Sequence, residues 1–191
     1  MEVKVWDYLV EYAQEKEEVL SAVQDVFESG WLILGNKVKE FETVYAHYCE
    51  TKYGIGVANG TDAIFLALKA LGIGAGDEVI TVSNTAIPTV SAIVSTGATP
   101  VFVDILEDTY LMDTSKIEQV ISSRTKCILP VHLFGQCVDM DKVNEIAKKN
   151  NLFVLEDCAQ SHGALYRGKK AGSLSDISTT SFYPTKILGT Y

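Results

Sequence analysis

The chain has 191 residues, of which 47% are hydrophobic, so it is long enough to bury a substantial core. Its formal net charge is −9 and no Lys/Arg cluster interrupts this acidity, which argues against a nucleic-acid polymer as a partner. Residues 1–18 show no signal or transit peptide, and the most apolar region, Ala86–Val103, is interrupted by proline and glycine and does not suit a membrane span. We therefore expect a cytoplasmic protein without a nucleic-acid or membrane partner.

Cysteine and histidine residues are few and show no metal-ligand spacing. No Cys-x-x-Cys pair occurs, and three of the four cysteines lie in or beside apolar runs, where a reduced thiol packs like a small hydrophobic group. The histidines are equally scattered, so we predict no metal site. These residues are Cys49, Cys127, Cys137, Cys158, His47, His132 and His162.

Two amphipathic helices are predicted first, one ended by Gly30 and one containing Val38 through Tyr48. Helical segments then alternate with short apolar runs, and a Gly- and Ser-containing connection leads to the last of these. The alternation predicts an α/β fold, with a mainly parallel sheet covered by helices on both faces and no second domain marked by a linker. The predicted strands are Gly54–Val57, Glu78–Val82, Thr99–Val103, Lys126–Val131, Leu152–Leu155 and Ile177–Phe182.

Ligands of open α/β sheets bind where strands end and helices begin, and Ala58–Asp62 lies at such a place. Gly60 would let the backbone approach an anion closely, and the Thr61 hydroxyl can donate a hydrogen bond. The start of the following helix presents free N–H groups. This predicts a phosphate-binding turn, and the alternative is that Thr61 or Asp62 only caps the helix.

Two adjacent acids end the hydrophobic run at Leu155. Neighbouring side chains on a strand point to opposite faces, so Glu156 and Asp157 cannot have the same role. A carboxylate at a strand end can keep a pyridine nitrogen protonated, which makes that ring a strong electron sink. The alternative is a helix cap or a salt-bridge partner.

A single lysine, Lys186, follows the last predicted strand on a turn that Pro184 stiffens. Lysine is the side chain that can form an imine with an aldehyde cofactor. Ser181, just before the turn, could donate a second hydrogen bond to phosphate. The alternative is an exposed surface lysine. A further segment, Gly135–Gln136, could line the same cleft.

Together these segments resemble the DegT/DnrJ/StrS family of sugar-nucleotide aminotransferases, a branch of the fold-type I pyridoxal-phosphate enzymes. The resemblance covers nearly the whole chain from residue 29 onward. The matching stretches are Ser29–Gly35, Asn59–Ala63, Gly76–Ile80, Gly97–Asp104, Pro130–Gly135, Glu156–Gly163 and Ser181–Lys186.

The resemblance implies a large domain of the aspartate-aminotransferase-like fold that binds pyridoxal 5'-phosphate. Lys186 would be the catalytic residue, forming a Schiff base with the cofactor and moving a proton between the cofactor carbon and the substrate carbon. Asp157 would pair with the pyridinium nitrogen, and Gln160 would lie near the phenolic oxygen. The residues that would hold the phosphate are Gly60, Thr61, Asp62 and Ser181.

The implied reaction is a transamination, in which an amino acid, usually glutamate, converts the cofactor to its amine form, which then aminates a nucleotide-linked keto sugar. A related branch that dehydrates sugars has histidine at the position of Lys186, so lysine favours transamination. The stretch Asn84–Thr89 looks closest to relatives that aminate the third carbon of the sugar. We expect a homodimer that makes deoxyamino sugars for lipopolysaccharide, another surface polysaccharide or an antibiotic.

Two departures from the family pattern stand out. Ala86 occupies a place where many relatives have an aromatic ring against the cofactor, so stacking would be weaker or supplied elsewhere. Family members are also about twice as long, so we expect residues 1–191 to be a partial large domain without the small C-terminal domain and without the partner-subunit residue that completes the phosphate site. Two alternatives remain: a truncated chain that binds cofactor without turnover, and an inactive chain.

Overall fold

A computed structural model describes residues 7–190, which fall into two compact units. The first unit extends to His47 and includes Tyr53–Gly56, and the second comprises Tyr48–Lys52 and the chain from Val57 onward. Between residues 7 and 190, no helix combines the length and the apolar character needed to cross a bilayer.

The first unit is helical, as the apolar periodicity predicts. Helix α1 spans Tyr8–Ser29, and helix α2 spans Asn36–Tyr48, whose last residue belongs to the second unit. Gly30 follows α1 in the left-handed region with φ 68° and donates its N–H to the carbonyl of Phe27, which is how glycine commonly ends a helix. Among its described residues, α1 buries no side chain.

The strand predicted at Gly54–Val57 is wrong, because this segment pairs with no strand of the described chain. Within the first unit, a Cβ on Gly54 would lie 2.5 Å from the carbonyl oxygen of Glu42, and the Gly56 N–H donates to the Glu42 carboxylate at 2.7 Å. Gly54 therefore lets the backbone lie against α2, because a side chain at this position would clash with Glu42. The side chain of Ile55 is 81% exposed, so its apolar character does not reflect a place in a sheet.

The second unit contains a five-stranded sheet in which every pair is parallel. The strands are β1 Glu78–Val82, β2 Thr99–Val103, β3 Thr125–Ile128, β4 Phe153–Asp157 and β7 Ile177–Thr179, and their order in the sheet is β2-β1-β3-β4-β7. All five residues of β1 are buried, as expected for a strand with neighbours on both sides and helices over the sheet. A separate antiparallel hairpin is formed by β5 Leu165–Tyr166 and β6 Lys169–Lys170.

Helices connect the strands and supply the other half of the core. Leu68, Ile93 and Ile146 pack from three of these helices onto the sheet and are at most 2% exposed. The helices are α3 Gly60–Ala70, α4 Ile87–Ser95, α5 Ile117–Val120 and α6 Met140–Asn150, with short 3₁₀ turns at Thr114–Lys116 and Leu133–Gly135.

The predicted α/β fold with a mainly parallel sheet is confirmed, and apart from the segment Gly54–Val57 the differences lie at strand ends. The strand predicted at Lys126–Val131 spans Thr125–Ile128. The strand β4 extends two residues past Leu155 to Asp157, and β7 stops at Thr179, short of the predicted Phe182. The segment before β7 contains the β5–β6 hairpin, whose strands of two residues are too short to show a period.

We expect Leu68→Ala to lower the free energy of unfolding by about 2–5 kcal/mol, because the side chain is fully buried and its removal leaves a cavity. Urea unfolding followed by circular dichroism measures this change. Leu66→Ala is the matched control on the same helix, since Leu66 is 47% exposed. Equal losses for the two variants would contradict the packing described above.

Candidate functional site

The predicted site residues of the second unit follow the carboxyl ends of its parallel strands or begin the helix α3. The chain passes from β1 to β2 on one side and then to β3 on the other side of β1, so the connections diverge at this edge. Such a switch point opens a crevice in which ligands of α/β proteins bind. The segments that gather there follow β1, β3, β4 and β7.

Asp157, the last residue of β4, is 4% exposed and has a hydrogen-bond donor at each carboxylate oxygen. The Thr89 hydroxyl donates to Oδ2 at 2.8 Å, and the Ala159 N–H donates to Oδ1 at 3.1 Å. Its backbone is also fixed, because its N–H donates to the carbonyl of Pro130. The side chain therefore offers lone pairs in a direction that the protein sets in advance.

Glu156 points away from Asp157 and is completely buried. Its Oε2 lies 3.0 Å from His132 Nε2 and accepts the Gly172 N–H at 2.9 Å. Its Oε1 accepts the Leu174 N–H at 2.9 Å and lies 2.8 Å from the Ser175 hydroxyl. Desolvation raises the pKa of Glu156, but these hydrogen bonds, led by that from His132, outweigh it and hold the pKa below its ordinary value.

His132 joins Glu156 and Cys158 in a buried cluster whose potential ligand atoms lie within 4.8 Å of one another. The Val138 N–H donates to His132 Nδ1 at 3.2 Å, so the ring proton lies on Nε2 and is donated to Glu156. Burial raises the pKa of the Cys158 thiol well above its ordinary value, so the sulfur keeps its proton. The hydrogen bonding of these groups is that of a structural support.

The start of α3 forms a turn lined by hydrogen-bond donors. Asn59 caps this helix, because its Oδ1 accepts the Asp62 N–H and its Nδ2 donates to the Asp62 carboxylate, each at 2.9 Å. The cap is therefore neither Thr61 nor Asp62. Within residues 7–190, the N–H groups of Gly60 and Thr61 donate to no protein acceptor.

Ser181 lies directly against this turn. A Cβ added to Gly60 would lie 3.2 Å from Ser181 Cβ, so glycine is what permits the approach. The Ser181 oxygen accepts the Tyr183 N–H at 3.4 Å, which leaves the hydroxyl proton to be donated elsewhere. Two amides and the hydroxyls of Thr61 and Ser181 thus stand at the positive end of a helix, an arrangement that suits an anion.

Gln160 is held by a turn in an uncommon conformation. Its Oε1 accepts the N–H of Phe134 at 3.1 Å, and Phe134 has φ 56°, in the left-handed region that non-glycine residues rarely adopt. With the amide oxygen occupied, the NH₂ group of Gln160 is the part that can donate to a ligand.

Lys186 lies in a turn closed by its own N–H, which donates to the carbonyl of Tyr183 at 2.8 Å, and the residue is half-buried. His162 follows the strand β4. Burial lowers the pKa of His162, a backbone hydrogen bond with Ser181 raises it, and the positive charge of Lys186 lowers it further.

The structure links most of the predicted site residues through direct neighbours. In the β4–β7 ladder, Asp157 pairs with Thr179, two residues before Ser181, and Ser181 contacts Gly60. Asp62 differs from the others, since its amide and its carboxylate are both occupied by Asn59. The arrangement can bind an anion at one place and a protonated ring nitrogen at another, with an amine nearby.

Sequence reasoning missed three polar residues of this edge. Asn59 is the helix cap, and the hydroxyls of Thr85 and Thr89 lie 2.8 Å apart beside Asp157. Thr85 precedes α4 and Thr89 lies in its first turn, so helical spacing alone does not bring the two threonines together.

Comparisons with known proteins identify the family of the chain. A sequence model of the DegT/DnrJ/EryC1/StrS aminotransferase family matches residues 13–191, and the chain belongs to this family. It is 54% identical, over its full length, to dTDP-3-amino-3,4,6-trideoxy-alpha-D-glucose transaminase of Micromonospora megalomicea subsp. nigra, of which it covers 51%.

Solved structures show the same likeness. S. venezuelae DesV in complex with a ketimine intermediate superposes with a TM-score of 0.96 at 44% identity over 99% of this chain and 51% of DesV. NtdA from Bacillus subtilis, with bound cofactor PMP, has a TM-score of 0.87 at 38% identity over 93% of this chain and 40% of NtdA. The chain thus spans about half the length of the relatives it matches.

We expect Glu156→Gln to lower the free energy of unfolding by about 3 kcal/mol at neutral pH, because the new amide NH₂ would face groups that are themselves donors. The pKa of Glu156 is lower in the folded than in the unfolded chain, so its contribution is present above the unfolded value and is lost as the pH falls through the folded value.

Urea unfolding from neutral pH down through the titration range of glutamate tests both points. The stability of the wild type should fall with pH more steeply than that of Glu156→Gln. Glu145→Gln is the control, since Glu145 is exposed and pairs with Lys142 on the same helix. Parallel curves for wild type and Glu156→Gln would contradict this role of the buried carboxylate.

Proposed function

We propose that this chain forms the cofactor-binding large domain of a pyridoxal-phosphate-dependent aminotransferase that acts on a nucleotide-linked keto sugar. The observation that carries the proposal is the set of groups along one sheet edge: a donor-lined turn, a carboxylate with a fixed direction, and a lysine. Each group suits a different part of pyridoxal phosphate.

The turn at the start of α3 suits the phosphate. Its free donors are the amides of Gly60 and Thr61 and the hydroxyls of Thr61 and Ser181, and helix α3 adds the positive end of its dipole. The Asp62 carboxylate would repel a phosphate and would not bind it directly. Its contribution would be to hold Asn59, whose side-chain amide donates to it.

Asp157 and Gln160 suit the ring. Asp157 would accept a hydrogen bond from the protonated ring nitrogen through its remaining lone pairs, and the Gln160 NH₂ would donate to the phenolic oxygen. When bound, the cofactor supplies a protonated pyridine ring that withdraws electrons from the carbon that loses a proton. The buried Asp157 would keep that nitrogen protonated and exclude water from it.

Lys186 suits the reactive end. Its amine can condense with the cofactor aldehyde with loss of water. Once the amino group of the substrate displaces it, the free Nζ would carry the proton between the cofactor carbon and the substrate carbon. Its turn, closed by Tyr183, would keep Nζ beside the bound ring.

The substrates are inferred from the family and its relatives. The relative that is 54% identical is named as a transaminase of a dTDP-linked 3-amino sugar. We therefore propose that the acceptor is a nucleotide-linked sugar with its keto group on the third carbon and that glutamate is the amino donor. The product would be a deoxyamino sugar for lipopolysaccharide or another surface polysaccharide, made in the cytoplasm.

A homodimer is part of the proposal, supported by the surface of α1. Leu20, Val23 and Phe27 lie on one face of this helix and are 50%, 44% and 67% exposed. Three large apolar side chains at helical spacing are typical of a surface that another chain covers.

The first test is an absorbance titration of the purified chain with pyridoxal phosphate, followed by borohydride reduction and mass spectrometry. We expect a new visible band and one adduct on Lys186, and bleaching of the band on addition of glutamate. Lys186→Ala should abolish the adduct. Lys169→Ala is the control, because Lys169 is an exposed lysine on β6.

The outcomes separate the alternatives. A band that glutamate does not bleach would indicate a chain that binds cofactor without turnover. An adduct that persists in Lys186→Ala would remove this lysine from its proposed role. No band with soluble wild-type protein would reject cofactor binding by residues 1–191.

We expect Phe27→Glu to weaken self-association at least about 30-fold, because a charge would replace an apolar contact of the α1 face. Sedimentation equilibrium over a range of concentrations measures the dissociation constant. Gln14→Glu adds the same charge on the opposite side of α1 and should leave it unchanged. A monomeric wild type, or equal effects of the two variants, would contradict the proposed surface.

A further inference from the structure

Thr89 connects the start of α4 to the carboxylate at the end of β4. It is 1% exposed, and its hydroxyl donates to Asp157 Oδ2 at 2.8 Å across 68 positions of sequence. A helical threonine commonly turns its hydroxyl back to the carbonyl four residues earlier. Here the hydroxyl turns to Asp157 instead, so it is committed to that carboxylate.

A second hydroxyl supports the first. Thr85 Oγ1 lies 2.8 Å from Thr89 Oγ1, and either oxygen could in principle donate. Thr89 has one hydroxyl proton, which it gives to Asp157, so Thr85 must be the donor between the two threonines. The hydrogen bonds therefore run in one direction, from Thr85 to Thr89 to Asp157.

The hydrogen bonds from Thr85 to Thr89 to Asp157, together with the Ala159 amide, fix the rotation of the Asp157 carboxylate. One donor meets Oδ2 and the other meets Oδ1, so the carboxylate cannot turn about its Cβ–Cγ bond without breaking a hydrogen bond in a buried place. Without Thr89, Oδ2 would lose its fixed direction, while Oδ1 and the backbone of Asp157 would remain held.

We propose that Thr89, oriented by Thr85, is a positioning residue that aims the Asp157 carboxylate at the ring nitrogen of the cofactor. This inference rests on the proposed function and adds two residues to it. Thr89 acts through Asp157, to which its hydroxyl donates.

The test compares two ligands, pyridoxal phosphate and its analogue in which a CH group replaces the ring nitrogen, bound to the full chain and followed by fluorescence titration. Thr89→Val keeps the shape of the side chain and removes the hydroxyl. We expect it to weaken binding of pyridoxal phosphate about 10-fold and to leave binding of the analogue within about 2-fold of wild type. Thr89→Ser should restore most of the affinity, and Thr85→Val should cause a smaller loss.

Thr81→Val is the matched control for loss of a buried hydroxyl. Thr81 is fully buried on β1 and donates to the carbonyl of Leu129 at 2.9 Å, so this variant should lose stability without selective loss of pyridoxal phosphate. Urea unfolding of each variant without cofactor measures the stability change independently.

Four results would overturn the inference. Wild-type affinity in Thr89→Val would show that the hydroxyl does not matter, and equal losses for both ligands would show a structural role only. A wild-type chain that binds neither ligand would reject the proposed function together with this inference. A wild type that prefers pyridoxal phosphate, beside a Thr89→Val variant that keeps this preference, would reject the inference alone.

Discussion

The buried carboxylate of Glu156 is the constraint on which the carboxyl edge of the sheet depends. Its donors come from two stretches of chain, His132 after β3 and residues 172–175 before β7. A buried charge is tolerated only when its lone pairs are satisfied, so neither stretch can move without a large loss of free energy. The same bonds set the loop after β3, which holds Gln160 through Phe134. The candidate site is thus built on a rigid base.

Side chains alternate between the two faces of a strand, so the adjacent acids Glu156 and Asp157 have different roles, one in supporting the fold and one in the candidate site. Glu156 turns to the interior and uses its oxygens within the protein, whereas Asp157 turns to the other side, where its remaining lone pairs would accept a hydrogen bond from the proposed ring. The β4–β7 ladder carries this geometry onward, because the pairing of Asp157 with Thr179 fixes where Ser181 leaves the sheet. The separation of the groups proposed to bind the ring from those proposed to bind the phosphate therefore follows from strand register.

Local sequence signals could predict the parallel sheet, the donor-lined turn before α3 and the different roles of the two acids, because each depends on period or on neighbouring residues. They could not predict the bond between Thr89 and Asp157, since nothing local marks a contact 68 positions apart. The apolar residues Ile55 and Val57 misled the prediction at Gly54–Val57, where Gly54 instead allows the backbone to lie close to Glu42. The cap at Asn59 was missed because Thr61 and Asp62 are equally good capping residues by type.

The small side chain of Ala86 gives the polar contacts more weight. Ala86 is the exposed residue before α4 and borders an open depression of about 480 Å³ that Thr85 and Ile87 also line. A residue of this size supplies little stacking area, so the proposed ring would be oriented mainly by hydrogen bonds. Thr89 lies three residues further on, within the first turn of the same helix. At the start of α4, the hydrogen bond from Thr89 to the Asp157 carboxylate would thus orient the ring through its edge, in place of an aromatic side chain at Ala86 that would stack on its face.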